Sequence, residues 1–181
     1  MSLTYPNASL ALLILGLTAA APAPRAPVQQ PMDDPTALAM FEAIAAYDIQ
    51  TGGLAAKKAT NADVRQLGST FEQGHKGLVK QTQEAAKKMN LKPKKPKEIP
   101  LAAEHAAAMK QLNAATGEEF DRAWIANEVR YHTDAIKVLN DTLMPAIQSP
   151  ELKSLVQGAV PAFQAHLAAA QKLATKYHVS S

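Results

Sequence analysis
The chain has 181 residues, a net charge of +3 at pH 7, 47% hydrophobic but only 5% aromatic residues, and no cysteine. This length suits one domain with a real core, and the missing cysteine excludes disulfides, thiolate metal ligands, a cysteine nucleophile and a lipidated N-terminal cysteine. The basic residues are spread out except between Lys87 and Lys97, and no nucleic-acid motif is present, so no nucleic-acid partner is expected.

Residues 1–20 read as a secretory signal peptide. Ala8 to Leu17 is an apolar run broken only by Ser9 and Gly16, and Thr18 to Ala21 offers small residues for cleavage, although no Lys or Arg precedes the run. The run is too short for a membrane span of ~20 residues. The expectation is an exported protein, periplasmic or extracellular, soluble after cleavage. Residues 21–35 contain Pro22, Pro24, Pro27, Pro31 and Pro35 and few apolar anchors, which predicts a disordered, proline-rich tether.

Ala, Leu, Lys, Gln and Glu dominate the remainder, 36–178, and these residue types favour helix over sheet. Asp34 and Pro35 supply an N-cap and a first-turn proline. The first long helix, ending near Lys58, then places Leu38, Phe41, Ala45, Asp48, Gly52 and Ala55 on one stripe. Thr60 and Asp63 form a capping-box-like pair before the second helix, whose stripe holds Val64, Leu67, Phe71, His75, Leu78, Ala85 and Met89. Pro93, Pro96 and Pro100, among Lys92, Lys94, Lys95 and Lys97, break the helix and predict a solvated connection. Those four lysines are also candidates for a weak contact with anionic envelope components, one that salt would weaken.

A short helix from Leu101 to about Ala114 follows, with His105 expected at its surface. Thr116 to Glu119 spells a T-x-x-E capping box and opens the third long helix, with Ile125, Val129, His132, Ile136, Leu139 and Leu143 inward and Trp124, Tyr131 and Val138 flanking. Pro145 is expected to end or kink it. Ser149 and Pro150 cap the fourth, whose stripe runs through Leu152, Leu155, Ala159, Phe163, His166, Ala170, Leu173 and Tyr177, with a bend expected at Pro161. The fold class is all-α. Four amphipathic helices and short links near Thr60 and Ser149 predict an up-down-up-down four-helix bundle, with the extra short helix between helices 2 and 3.

Asp48, His75, His132 and His166 each occupy an apolar position near the middle of a different helix. If both short links lie at one end, Asp48 and His75 sit ~18 and ~22 Å from it, and both His132 and His166 ~26 Å, at 1.5 Å per residue. One polar layer is expected. Leaving four such groups unpaired costs ~2 to 7 kcal/mol each, comparable in sum with a whole domain's ~5 to 15 kcal/mol, so they must be paired, hydrated or metal-bound. Three imidazoles and a carboxylate suit a divalent Zn, Cu, Fe, Mn or Ni ion. A buried hydrogen-bond network that fixes helix register is the alternative. Tyr131, Glu128 and Glu72 are the candidate neighbours of the ligands. Glu72 and His75 have the E-x-x-H spacing of di-iron bundles, but no second such pair exists. A metal-dependent oxidase or peroxide-handling enzyme is therefore the less favoured reading beside a non-enzymatic binding or stress-related envelope protein.

The segments Gly53–Ala59 and Asp63-Val64-Arg65, the helix around His75, Glu119–Ala123 through Tyr131-His132, and Pro161 to Leu167 resemble a bacterial family, domain of unknown function 4142. The resemblance covers roughly residues 36–175. It implies a ferritin-like four-helix bundle, usually exported, with histidines at the positions of His75, His132 and His166 and an acidic residue at that of Asp48. Gly74 departs from the pattern, where the family commonly has Asp.

Overall fold
The computed structural model describes residues 32–180; the expected signal peptide, 1–20, and residues 21–31 of the expected tether lie outside them. The described residues form helices and connecting turns, with no strand among them. α1 spans Asp34–Lys58, and its N-cap is Asp33, one residue earlier than expected, with the carboxylate accepting from the Thr36 N–H at 2.9 Å. This frees Asp34 for a tertiary role. Its carboxylate accepts the N–H groups of Gln148 and Ser149 at 2.7 and 2.8 Å, tying a distant turn to the start of α1.

α2 spans Ala62–Lys88 and is capped by Asn61 rather than Thr60, because the Thr60 N–H and hydroxyl both donate to Asp121. α3, Ala102–Ala114, follows a non-helical lysine-rich segment. α4, Gly117–Val138, starts at the expected place. Thr116 is its N-cap, but the hydroxyl makes no cap bond, so the expected capping box is not formed. Pro145 does not stop the helix. The chain widens into a π-helical turn at Leu139–Leu143 and stays helical through α5, Met144–Ala146. A proline ring crowds the carbonyl four residues back, and a wider turn just before it relieves that crowding. α6, Pro150–Lys176, is capped by the Ser149 hydroxyl and contains Pro161 within its length.

Side-chain pairs along the helices fix their directions. In α1 and α2, Asp48 meets His75, while Gly52 meets Gly68 and Glu72, so these helices are antiparallel. In α1 and α4, Ile44 meets Tyr131, Thr51 meets Trp124, and Thr60 in the turn after α1 meets Asp121, so α4 is also antiparallel to α1. α6 opposes α2 and α4 in turn, through His75–His166 and Lys176–Asp63 on one side and Arg122 with the Tyr177 carbonyl on the other. The order is therefore up-down-down-up, and the expected up-down-up-down course is corrected. The difference arises in the segment after α2. The Lys94 N–H bonds the Pro35 carbonyl at the start of α1, after which α3 climbs beside α1. There Tyr47 stacks on His105 at 4.2 Å, and the Lys58 ammonium donates to the last carbonyls of α3. His105, expected to be exposed, is half-buried by that stacking.

At one crossing α1 and α2 approach backbone to backbone. A Cβ on Gly52 would stand 2.7 Å from the Gly68 carbonyl oxygen, and one on Gly68 only 2.6 Å from the Ala55 Cβ, so neither position accepts a side chain at this spacing. The apolar core falls into two clusters. One gathers Leu38, Phe41, Ile44, Leu139, Leu143, Leu152 and Phe163; the other gathers Ala55, Val64, Phe71, Phe120, Trp124, Ile125 and Ala170. On α1, α2 and α6 the polar residue sits between the positions belonging to the two clusters, and on α4 His132 follows directly on the changeover from Val129 to Tyr131.

Candidate metal centre
The stripe position that buries Phe41 and Ile44 on α1 carries on to Asp48; the same logic on α2 runs from Phe71 to His75, on α4 from Ile125 and Val129 to His132, and on α6 from Phe163 to His166. The three innermost groups are almost wholly out of water, with Asp48 and His132 0% and His75 2% exposed, while His166 is half-buried. One ligand atom from each of the four lies within 4.8 Å of all the others. His75 Nε2 is 2.8 Å from Asp48 Oδ2 and 3.1 Å from His166 Nδ1, and His132 Nε2 is 3.7 Å from the same Asp48 oxygen. Four helices thus deliver one donor each to a common point.

These separations bracket the ligand-to-ligand edge of about 3.4 Å that a tetrahedral site with metal–nitrogen distances near 2.1 Å requires. Hydrogen bonding satisfies the cluster poorly. Glu128 and Thr51 lie within hydrogen-bonding reach of the Asp48 carboxylate and His75 bonds His166, but His132 Nε2 and His75 Nδ1 have no partner, and the close approach of His75 to Asp48 lacks hydrogen-bond alignment. His132 Nδ1 lies 3.0 Å from the Glu128 carbonyl oxygen, which places the ring proton on Nδ1 and leaves the Nε2 lone pair facing the cluster. An orphaned imidazole nitrogen and a buried carboxylate converging on one point fit a cation.

Electrostatics favours the same state. Burial drives the three histidines down, to about 4 for His75, about 3 for His132 and about 4 for His166, so all are neutral imidazoles at neutral pH. Burial, and then the charge of Asp48, pushes the Glu128 carboxyl well above its usual range, and burial raises Asp48 as well. The two acids share one dry compartment in which holding both charges is costly.

The neighbours expected from the sequence divide three ways. Glu128, on the same stripe one turn before His132, is fully buried, with Oε2 3.5 Å from His132 Nδ1 and Oε1 accepting from Asn127 at 3.2 Å. Tyr131 stands beside His132, with ring centroids 5.4 Å apart, but its hydroxyl donates to the Ile44 carbonyl rather than to the cluster. Glu72 is not a neighbour at all. Its carboxylate lies over Gly53 and pairs with Lys76 at 2.6 Å, because its position on α2 is turned off the inward stripe. Two residues read from the sequence only as core packing orient the ligands: Phe71 stacks on His166 at 4.2 Å, and Phe163 meets His75 edge-on at 4.9 Å. Their spacing of four and three residues from a histidine was visible, but it is also the spacing of ordinary packing. Of the loop lysines, Lys94 pairs with Asp33 at 2.7 Å, and Lys92, Lys95 and Lys97 are exposed.

Among the described residues, no helix is long and apolar enough to cross a membrane. Two crystal structures of DUF305 proteins are similar in fold. A fragment from Deinococcus radiodurans has a TM-score of 0.64 at 16% identity, covering 77% of this chain and 93% of its own; a protein from Streptomyces coelicolor described as secreted has a TM-score of 0.64 at 14% identity, covering 81% and 97%. Comparison with curated proteins gives no match. The model of the family "Domain of unknown function (DUF4142)" matches residues 18–173, and with that span covered the chain belongs to the DUF4142 family.

Proposed function
We propose that this protein is an exported, ferritin-like bundle that binds one divalent transition-metal ion per chain through Asp48, His75, His132 and His166. The observation that carries the reading is the convergence of four donors, one from each long helix, at a buried point where the His132 Nε2 lone pair has no hydrogen-bond partner. Three neutral nitrogens and one oxygen suit Zn, Cu, Fe, Mn or Ni, with geometry and supply deciding among them. The single long crossover between α2 and α4 supports the ferritin-like assignment, since such bundles carry one. Export is supported by the apolar run of residues 8–17 and by the likeness to a protein described as secreted.

Metal analysis and calorimetric titration of the protein with each of the five ions should find about one ion per chain, held by wild type and lost in a His75→Ala, His132→Ala double variant. Wild type that takes up none of the five, or a double variant that binds as well as wild type, rejects the proposal. An oxidase or peroxidase role needs turnover as well as binding, and oxygen or peroxide consumption by loaded protein, abolished in His132→Ala, is its signature. If metal never alters stability, the polar layer is a register device instead.

A further inference from the structure
Between α2 and α6 an open groove of about 790 Å³ leads from the surface down to the histidine cluster, with His75 and His166 among its lining residues. The volume is in the range of small-molecule sites. Its walls include Gly74, Gly77, Gly158 and Ala162, so the backbones themselves form much of the surface. A Cβ at Gly77 or Gly158 would meet nothing within 4 Å, which means that real space stands over those positions, and at Gly74 it would touch His166 Cε1 and Nε2 at 3.4 Å. The groove also holds a buried polar atom with no partner, since His75 lines it while only 2% exposed and its Nδ1 has no hydrogen bond. The opposite side of the cluster is closed, with Asp48, Glu128 and His132 all at 0% exposure.

We propose that the α2–α6 groove is a binding site for a small monoanion that joins the four protein ligands on the metal as a fifth, from its one accessible side. The inference rests on the metal reading above. Three neutral imidazoles and one carboxylate leave a divalent ion with a net positive charge in a poorly solvated place, and a monoanion arriving from the groove cancels it. The groove face is where the donors are least crowded, because His166 is the only one of the four that is half-exposed.

The test uses full-length protein loaded with Co(II) or Cu(II), titrated with azide and read by the azide-to-metal charge-transfer band. Wild type should give a saturable band. Ala162→Leu and Gly77→Leu, on the groove wall within about one turn of His166 and His75, should keep one bound ion and a wild-type helical spectrum but weaken azide binding by at least about tenfold, since each builds a clash against the ligand alone. A loaded wild type without an azide band, or azide affinity unchanged in both variants, overturns the anion site while leaving the metal centre intact. A protein that takes up neither ion overturns both, and the metal analysis tells the two failures apart.

Discussion

The two apolar clusters and the polar layer between them are built on the same helices, and Asp48, His75 and His132 are as buried as the apolar residues, yet the two settle their groups differently. In the cluster around Trp124 the one large polar handle is matched, its indole N–H donating to the Thr51 carbonyl at 3.1 Å. In the layer, His75 Nδ1 and His132 Nε2 have no partner, and two buried acids, Asp48 and Glu128, are set against each other. Packing thus explains the clusters completely and the layer not at all. A fold that needed only stability would gain from apolar residues there, because burying charge costs more than it returns unless it is well paired.

The largest expected effect tests the clusters. Trp124→Ala removes a fully buried ring and its bond to Thr51, and should destabilise the protein by ~3–5 kcal/mol whether or not metal is present, read by chemical denaturation. A metal-dependent loss would mean that the cluster and the layer are one unit. Nearly as large is the contribution assigned to the layer. Free metal at 1,000 times its dissociation constant should stabilise wild type by ~4 kcal/mol, and His132→Ala should abolish that gain. Equal thermal shifts in both proteins would place the ion elsewhere.

Asp48→Asn sharpens the contrast by keeping the shape and removing the charge. The metal-dependent gain should vanish, while the metal-free variant should melt no lower than metal-free wild type, since burial already disfavours the charge that the substitution removes. The pH response should be smaller still. Histidines lowered to about 3 or 4 in the folded state stay neutral while their unfolded counterparts gain protons below about 6.5, so their contribution to stability is full above that pH and falls progressively as the pH drops towards 4. The raised carboxyls, Asp48 and Glu128, act in the opposite sense, because the folded state keeps protons that the unfolded state loses above about pH 4. Three histidines against two acids should leave metal-free protein with a modestly lower melting temperature at pH 5 than at pH 7.5. A higher value at pH 5 would show that the carboxyls dominate. At the bottom of the scale, Lys94→Ala breaks an exposed pair with Asp33 and should leave the melting temperature unchanged within error.

The four central residues were legible because each breaks an apolar stripe, and a stripe is a property of local sequence. Their common depth was reached from a wrong premise. The link at Thr60 meets Asp121 at one end of the bundle, whereas the link at Ser149 is tied to Asp34 at the other, so the two distances were measured from opposite ends. The result survives because each residue lies near the middle of its long helix, where the choice of end hardly matters. Glu128 was legible as a neighbour because it lies one turn from His132, but its full burial was not, since that depends on what α1 packs against it. Glu72 has the E-x-x-H spacing, but it sits off the apolar stripe, and spacing alone says nothing of facing.

The sequence by itself determined the helical class, the approximate helix limits and the inward identity of Asp48, His75, His132 and His166, because propensity, caps and the 3.6-residue period act between neighbours in the chain. It did not determine the direction of α4, which depends on the lysine-rich segment and α3 climbing back along α1 through contacts of Lys94 with Pro35, His105 with Tyr47 and Lys58 with the end of α3. Nor did it determine the groove, since glycines at 74, 77 and 158 become a surface only when α2 and α6 lie side by side. The physical reason is that a helix carries its own hydrogen bonds and its own stripe, but which helix it faces, and in which sense it runs, is decided by packing between segments far apart in sequence.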